Sequence, residues 1–344
     1  MYSALKYEQG KSSGGTVNVG DMIQTLAAVQ YLPKIDYYLE RRQGKNISSD
    51  LPDSFCIMNG WYSSGMLPPP PNITPFYISI HINTPEMLTD EVVKHLKEHQ
   101  PIGCRDRSTL NLLKSYDVDS YYSGCLTLSF PTIQEKTPGK IYIVNLDQRG
   151  LKLVPEEIKE KAVSVDYITY RDLLTLIKVK KGKILRPIEG VTERFQEILE
   201  IPQIFINPEF SSLFPKIWTD KELENLIHLF KARSLLKMYS KASLVITNRL
   251  HCASPCLALG TPVVFIPRKK HLLGDSRFET VGRYIPLNME AEKSSDIEWK
   301  PQPVNVENHK RFLRMLCQKA VEMRENPLKK IPLSQFYEDS GWNN

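Results

Sequence analysis

The chain has no hydrophobic segment of the kind that crosses a membrane or directs export. Residues 1–10 lack an apolar core of signal-peptide length. The longest apolar window, residues 243–266, is interrupted by the charged side chain of Arg249, which a membrane-spanning helix tolerates poorly. We therefore expect a cytoplasmic protein.

The chain also lacks the cysteine spacing of metal-binding and redox motifs and the glycine motif of dinucleotide-binding folds. The six cysteines form no Cys-x-x-Cys pair, and the chain contains no Gly-x-Gly-x-x-Gly fingerprint. The net charge is +6, but the basic residues are scattered instead of forming a stripe interleaved with aromatics, so we expect no nucleic-acid partner. The excess positive charge suits an anionic substrate or a weak attraction to an anionic membrane surface.

Strand and helix patterns alternate along the chain, which predicts parallel sheets covered by helices. The 344 residues are enough for two domains. We place the boundary at a linker-like sequence near residue 137, which gives two Rossmann-like domains, 1–137 and 138–344, facing each other across a cleft. Residues 306–325 have amphipathic spacing and predict a helix that packs back across the junction.

The most informative segment is residues 243–266. Its pattern predicts a strand, a turn, a helix closed by Gly260 and Pro262, and a second strand. Arg249 and His251 lie on the strand-to-helix turn, where open α/β sheets bind ligands and where a helix N-terminus favours an anion. A surface arginine and a structural histidine are the alternative. The position favours a phosphate or carboxylate site.

A second polar turn precedes a helix predicted over residues 22–32. It contains Asn18, Gly20 and Asp21. Gly20 permits a close backbone approach, and Asp21 either caps the helix or presents its carboxylate to the cleft.

Further candidates lie in the middle of the first domain. Residues 103–108 form another strand-to-helix turn, where Arg105 or Arg107 would face the cleft. The turn at 123–124 is either structural or contacts a ligand through its backbone, and His81 is either a half-buried structural histidine or a cleft residue.

Taken in this order, the motifs resemble those of the polysaccharide pyruvyl transferases. The resemblance runs from about residue 14 to about residue 287, and its final block is the most specific. The matching motifs are Asn18-x-Gly20-Asp21, Arg105-Asp-x-Ser108, the turn at Gly124, and Thr247-Asn-Arg-Leu-His251 followed by Ala258-Leu-Gly-Thr-Pro-Val-Val264.

The resemblance implies a glycosyltransferase B-like arrangement, with the acceptor on the N-terminal domain and the donor on the C-terminal domain. It implies an enzyme that uses phosphoenolpyruvate to place a pyruvate ketal across two hydroxyls of a sugar, a lipid-linked oligosaccharide or a polysaccharide. Peripheral membrane association would then arise through the substrate. No cofactor or metal is implied, because arginines can stabilise the anionic groups.

The resemblance also implies roles for individual residues. The residues expected to bind the donor are Asn248, Arg249, Arg277 and Arg105. His251 would act in acid catalysis or phosphate binding, and Asp21 would orient or deprotonate the acceptor. The residues expected on the acceptor side or in the cleft are Asn18, Gly20, His81, Ser123 and Gly124.

Two other functions remain open on the sequence. A nucleotide-sugar-dependent glycosyltransferase of the same fold would need an acidic residue for a ribose, for which Asp275 and Glu279 are candidates. A non-catalytic carbohydrate-binding relative would have little need of Arg249 beside His251. The sequence does not determine the acceptor sugar, the hydroxyls that are bridged or the oligomeric state.

Overall fold

The computed structural model describes residues 1–7, 18–133, 139–165, 179–180, 183–184, 220–268 and 276–342. The N-terminal half contains, in chain order, β1 (Tyr2–Lys6), α1 (Val19–Val29), β2 (Tyr37–Glu40), β3 (Ser54–Tyr62), β4 (Ile73–Ile82), α2 (Asp90–His99), β5 (Ile102–Cys104), α3 (Arg107–Ser115) and β6 (Ser120–Tyr122). These strands form one fully parallel sheet in the order β2-β1-β3-β4-β5-β6. The strand order reverses between β1 and β3, where sheets of this type bind ligands.

The C-terminal half is built around a second parallel sheet. Its elements are β7 (Ile141–Val144), α4 (Gln148–Leu153), α5 (Glu156–Lys161), β8 (Ala162–Val165), β9 (Val179–Lys180), β10 (Lys183–Ile184), α6 (Asp220–Ser240), β11 (Leu244–Thr247), α7 (Leu250–Leu259), β12 (Val263–Phe265), α8 (Glu279–Gly282), α9 (Glu307–Met323) and α10 (Leu333–Ser340). The described strands pair in the order β8-β7-β11-β12, and β9 pairs with β10 as a separate antiparallel ribbon.

One hydrophobic cluster joins the two halves. It includes Met22 of α1, Ala253 of α7 and Phe312 of α9, all fully buried. Helix α1 packs against α6 and α7. Because α1 starts beyond the carboxyl end of β1 and α7 beyond that of β11, this packing brings the carboxyl edges of the two sheets towards each other.

The predicted α/β class with parallel sheets and covering helices is confirmed. The sequence pattern does not predict β1 or β2. The buried hydroxyl of Ser3, 2.7 Å from Ser54 Oγ, interrupts the apolar run of β1, and β2 has only four residues at the edge of its sheet. Local hydrophobic periodicity does not distinguish such strands from loops.

Helix α1 begins earlier than its pattern predicts. It starts at Val19 with Asn18 at the N-cap position, so the capping role considered for Asp21 is wrong. Asp21 lies in the first turn, where its carboxylate accepts hydrogen bonds from Asn18 Nδ2 (3.0 Å) and Gln24 Nε2 (3.1 Å). The carboxylate is therefore held on the helix surface and not folded back onto the backbone.

The late amphipathic helix is present as α9, which buries Phe312, Leu313 and Leu316. It packs against the short 3-10 turn Leu126–Ser129 of the N-terminal half, and Nε2 of His309 donates to the carbonyl of Ser123 over 2.8 Å. Among the helices that the structure describes, none combines the length and the apolar composition needed to cross a membrane.

Candidate functional site

The turn from β11 into α7 is fixed by local hydrogen bonds. The hydroxyl of Thr247 donates to the carbonyl of Val144 (3.1 Å) and accepts from the backbone N–H of Arg249 (3.0 Å). Pro255 lies four residues after His251 and has no N–H to bond the His251 carbonyl. His251 accordingly has non-helical angles, φ −83° and ψ 20°, at the start of the helix. Pro255 thus helps to set the direction of this imidazole.

The first turn of α1 lies directly against His251. A Cβ atom on Gly20 would be 3.0 Å from Nδ1 and 3.1 Å from Cβ of His251. Glycine therefore permits this close contact between the two helix starts, and a larger residue would displace the His251 side chain. The close approach expected of Gly20 is to a protein side chain, and it joins the two halves at the site.

A cavity of about 370 Å³ opens at this junction, and residues of both halves line it. It lies at the carboxyl ends of strands: Arg41 follows β2, Arg105 follows β5, and Asn248 follows β11. Asp21 is the one acidic residue among the described lining residues. Six arginines line the cavity, namely Arg41, Arg42, Arg105, Arg249, Arg268 and Arg277. Such a wall is suited to a ligand with several negative charges.

Two of these arginines are buried without a full set of partners. Arg105 is 2% exposed; its Nη1 donates to Gln24 Oε1 (3.3 Å), and its Nε has no hydrogen-bond partner in the described part of the chain. The guanidinium of Arg41 lies 3.9 Å from the ring centroid of Tyr7 and 4.0 Å from the Asp21 carboxylate. Buried cations are costly unless an anion compensates them, so both side chains are prepared for an anionic ligand.

His251 is neutral in the unliganded site. Burial lowers its pKa well below the usual value, and the charges of Arg105 and Arg277, with a smaller effect of Arg41, repel a proton further. Its Nε2 is buried and has no hydrogen-bond partner among the described residues. At neutral pH the free site therefore presents an uncharged imidazole beside a group of guanidinium ions.

Gln24 connects the two charged groups of the N-terminal wall. Its amide donates through Nε2 to Asp21 and accepts through Oε1 from Arg105. The side chain is 2% exposed, so both contacts are held in a fixed geometry. Sequence reasoning missed Gln24 because a single glutamine within an apolar helix carries no motif.

The structure brings most of the predicted site residues together. The cavity is lined by Asn18, Gly20, Asp21, Arg105, Asn248, Arg249, His251 and Arg277. Sequence reasoning missed Arg41, Arg42, Trp61 and Arg268. The arginine pair follows β2, a strand that the pattern did not predict, so nothing marked it as a strand-end position.

Three predicted residues lie outside this cavity, so their assignment to the cleft is corrected. Nδ1 of His81 contacts the carboxylate of Asp106 at 2.6 Å, and Asp106 caps α3 by accepting from the backbone N–H of Thr109. Ser123 and Gly124 face His309 of α9. All three serve packing between elements. Arg107, the alternative to Arg105, is exposed and pairs with Glu279 at 2.8 Å.

The described lining of the cavity is poor in metal ligands. It offers one carboxylate, Asp21, and one imidazole, His251, whereas protein metal sites commonly use three or more such groups. A separate cluster of ligand atoms within 4.8 Å of one another, formed by His95, Glu98 and His99 of α2, lies outside the cavity.

Comparison with known proteins places the chain in a family. A family model described as polysaccharide pyruvyl transferase matches residues 18–270, well over half of the chain. A crystal structure of an uncharacterised protein from Klebsiella pneumoniae is similar at 13% identity over 80% of this chain and 87% of that one, with a TM-score of 0.36. No curated protein matches. The family match covers every lining residue named above except Arg277, and on this ground the chain belongs to the polysaccharide pyruvyl transferase family.

Proposed function

We propose that this protein transfers the pyruvyl group of phosphoenolpyruvate onto two hydroxyls of a sugar, forming a pyruvate ketal in glycan biosynthesis. The observation that carries the proposal is the cavity that six arginines and the imidazole of His251 line together. Phosphoenolpyruvate carries a phosphate and a carboxylate, about three negative charges in all. A cavity rich in guanidinium groups suits the phosphate and the carboxylate of such a donor.

The donor is bound by arginines from both halves. Arg249 and Arg277 come from the C-terminal half, and Arg105 reaches the same cavity from the end of β5. A guanidinium binds phosphate or carboxylate through two parallel hydrogen bonds. Asn248 adds a buried amide with no hydrogen-bond partner in the described chain, next to the N-terminus of α7, which also favours an anion. This division of the site between halves fits a glycosyltransferase B-like arrangement.

The reaction begins with proton transfer to the methylene carbon of the bound donor. The resulting oxocarbenium-like carbon is attacked by one sugar hydroxyl, phosphate leaves, and the second hydroxyl closes the ketal. His251 supplies the first proton, and Asp21 orients the acceptor and removes a hydroxyl proton. One hydroxyl proton thus replaces the proton that His251 gave up, and the other leaves with the phosphate. The arginines stabilise the anionic groups, and no cofactor or metal takes part.

Binding of phosphoenolpyruvate is expected to be coupled to proton uptake by His251. The pKa of this group is depressed in the free protein by burial and by neighbouring arginines, and a bound trianion offsets those positive charges. The complex then holds more protons than the free protein, so affinity should rise as pH falls, by at most about tenfold per pH unit. Calorimetry between pH 7 and 9, where the phosphate is largely ionised, in buffers of different ionisation enthalpy measures the uptake. No uptake in the parent, or equal uptake in His251→Gln, would contradict this coupling.

Gly20→Ala is expected to lower turnover about tenfold to a hundredfold while leaving the fold intact. The new methyl group would press on His251, and small displacements of a reacting group have effects of this size. Better helix propensity, worth about 1 kcal/mol, offsets much of the strain. Gly150→Ala is the matched control, since Gly150 is also in the first turn of a helix, α4, but meets a flexible leucine side chain. Equal turnover in both variants, measured by phosphate release, would argue against a role for this contact.

The proposed function is tested by incubating the protein with phosphoenolpyruvate and candidate acceptors. We expect acceptor-dependent phosphate release, together with a product whose mass corresponds to a cyclic pyruvate ketal. A thermal-shift titration with nucleotide sugars runs in parallel. Stabilisation by nucleotide sugars and none by phosphoenolpyruvate would overturn the proposal in favour of a glycosyltransferase.

A further inference from the structure

The cavity holds more positive charge than the proposed donor can compensate. Six arginines and one carboxylate line it, while phosphoenolpyruvate brings about three negative charges. About two positive charges are therefore left over when the donor is bound, and a proton taken up by His251 would add a third. Uncompensated cations in a partly closed cavity are unfavourable, and a second anionic ligand would remove this cost.

The surplus charge lies beside an aromatic ring on the N-terminal wall. Arg41 and Arg42 follow β2, and Trp61 lies near the end of β3, so all three belong to the N-terminal sheet. Arg249 and Arg277 come from the C-terminal half of the chain. Trp61 is half-buried, and its Nε1 donates to Asn83 Oδ1 over 3.1 Å, which holds the ring in place. The guanidinium of Arg41 is 5.9 Å from the Trp61 ring centroid.

Arg41 itself indicates a ligand on this wall. It is 3% exposed, and its Nε and Nη1 have no hydrogen-bond partner among the described residues. Its nearest described carboxylate, that of Asp21, is 4.0 Å away and already accepts from Asn18 and Gln24. The Tyr7 ring compensates the charge in part, since cations are attracted to aromatic faces.

We propose that Trp61, Arg42 and Arg41 form an acceptor subsite for a sugar that bears an anionic group close to the hydroxyls that receive the ketal. The electron-rich ring face of Trp61 packs against the C–H groups of the sugar. The exposed side chain of Arg42 binds the anion, and the buried side chain of Arg41 adds a second positive charge to the subsite. The anion is a carboxylate, as in a uronic acid, or a phosphate, as in a glycosyl phosphate. This inference rests on the proposed function, because it takes the other arginines to be occupied by the donor.

The experiment measures sugar binding to protein that is saturated with phosphoenolpyruvate. The probes are glucose, glucuronate and glucose 1-phosphate, with the corresponding galactose series. In the parent, we expect at least one anionic sugar to bind about tenfold or more tightly than its neutral counterpart, about 1.4 kcal/mol. Tight binding of glucuronate would identify the anion as a carboxylate, and tight binding of glucose 1-phosphate would identify it as a phosphate. Equal affinity for neutral and anionic sugars in both series overturns the inference.

Two variants separate the roles of the subsite residues. Arg42→Gln should reduce the preference for the anionic sugar to less than about threefold and leave phosphoenolpyruvate affinity within about twofold. Trp61→Leu should lower the affinity for neutral and anionic sugars to the same extent. The charge-matched control is Arg311→Gln, at an exposed position of α9, which should change neither the sugar affinity nor the phosphoenolpyruvate affinity.

If Arg42→Gln lowers the affinity for phosphoenolpyruvate as much as the affinity for the sugar, Arg42 belongs to the donor site and the inference fails. A parent protein that binds no phosphoenolpyruvate instead refutes the proposed function itself, and the inference with it.

Discussion

Replacing His251 by glutamine is expected to lower turnover about a hundredfold to ten-thousandfold while phosphoenolpyruvate affinity changes by less than about tenfold. Glutamine keeps a hydrogen-bond donor and most of the volume of histidine, but it cannot deliver a proton near neutral pH. The buried Nε2 of His251, which has no partner in the described chain, is the atom proposed to carry that proton. Single-turnover kinetics with direct donor titration separates the rate from the binding step.

His81→Asn is the matched control for this variant. His81 lies outside the cavity, and asparagine can retain the contact that Nδ1 makes with Asp106. We expect its turnover to stay within a few-fold of the parent, about 1 kcal/mol or less in activation free energy. Near-normal turnover in His251→Gln would show that another group supplies the proton. His271 would then be tested next; it lies outside the described residues.

Removing the Arg249 side chain is expected to weaken phosphoenolpyruvate binding about tenfold to a hundred and fiftyfold. A hydrogen bond to a charged group contributes about 1.5–3 kcal/mol, and Arg249→Ala removes the guanidinium that would make it. The fold should persist, because Arg249 is half-buried at the cavity and the turn is held by its backbone N–H and Thr247. Calorimetric titration measures the affinity, and thermal unfolding verifies the fold.

Arg311→Ala removes an equal charge from an exposed position on α9 and serves as the control. Its effect on donor affinity should be small, since exposed charges are screened by salt. A folded Arg249→Ala protein with the affinity of the parent would exclude Arg249 from the donor site. A loss equal to that of the control would mean that only the overall charge of the protein attracts the donor.

Local sequence patterns determined much of the architecture. The apolar runs of β4 and β11 are buried on both faces, as is typical of strands in a covered parallel sheet. A few consecutive residues are therefore enough to predict each of these strands. The amphipathic spacing of α9 likewise records which of its faces is buried. The turn that carries Arg249 and His251 could be located for the same reason, because the strand before it and the helix after it are both well marked.

The composition of the site was decided by tertiary structure. Gly20 and His251 are far apart in sequence, and only the packing of α1 against α7 brings them into contact. His81 has the residue type and the strand-end position of a site residue, yet its partner Asp106 holds it within the cap of α3. Arg41 follows a short edge strand that no local pattern marks.

The charge state of the site also follows from three-dimensional proximity. The sequence alone made His251 a candidate for acid catalysis or phosphate binding, but its neutral state in the free protein results from burial beside Arg105, Arg277 and Arg41. Sequence periodicity reports the burial of each residue within its own element. Which buried and charged groups share one cavity depends on how distant elements pack, and only the tertiary structure supplies that information.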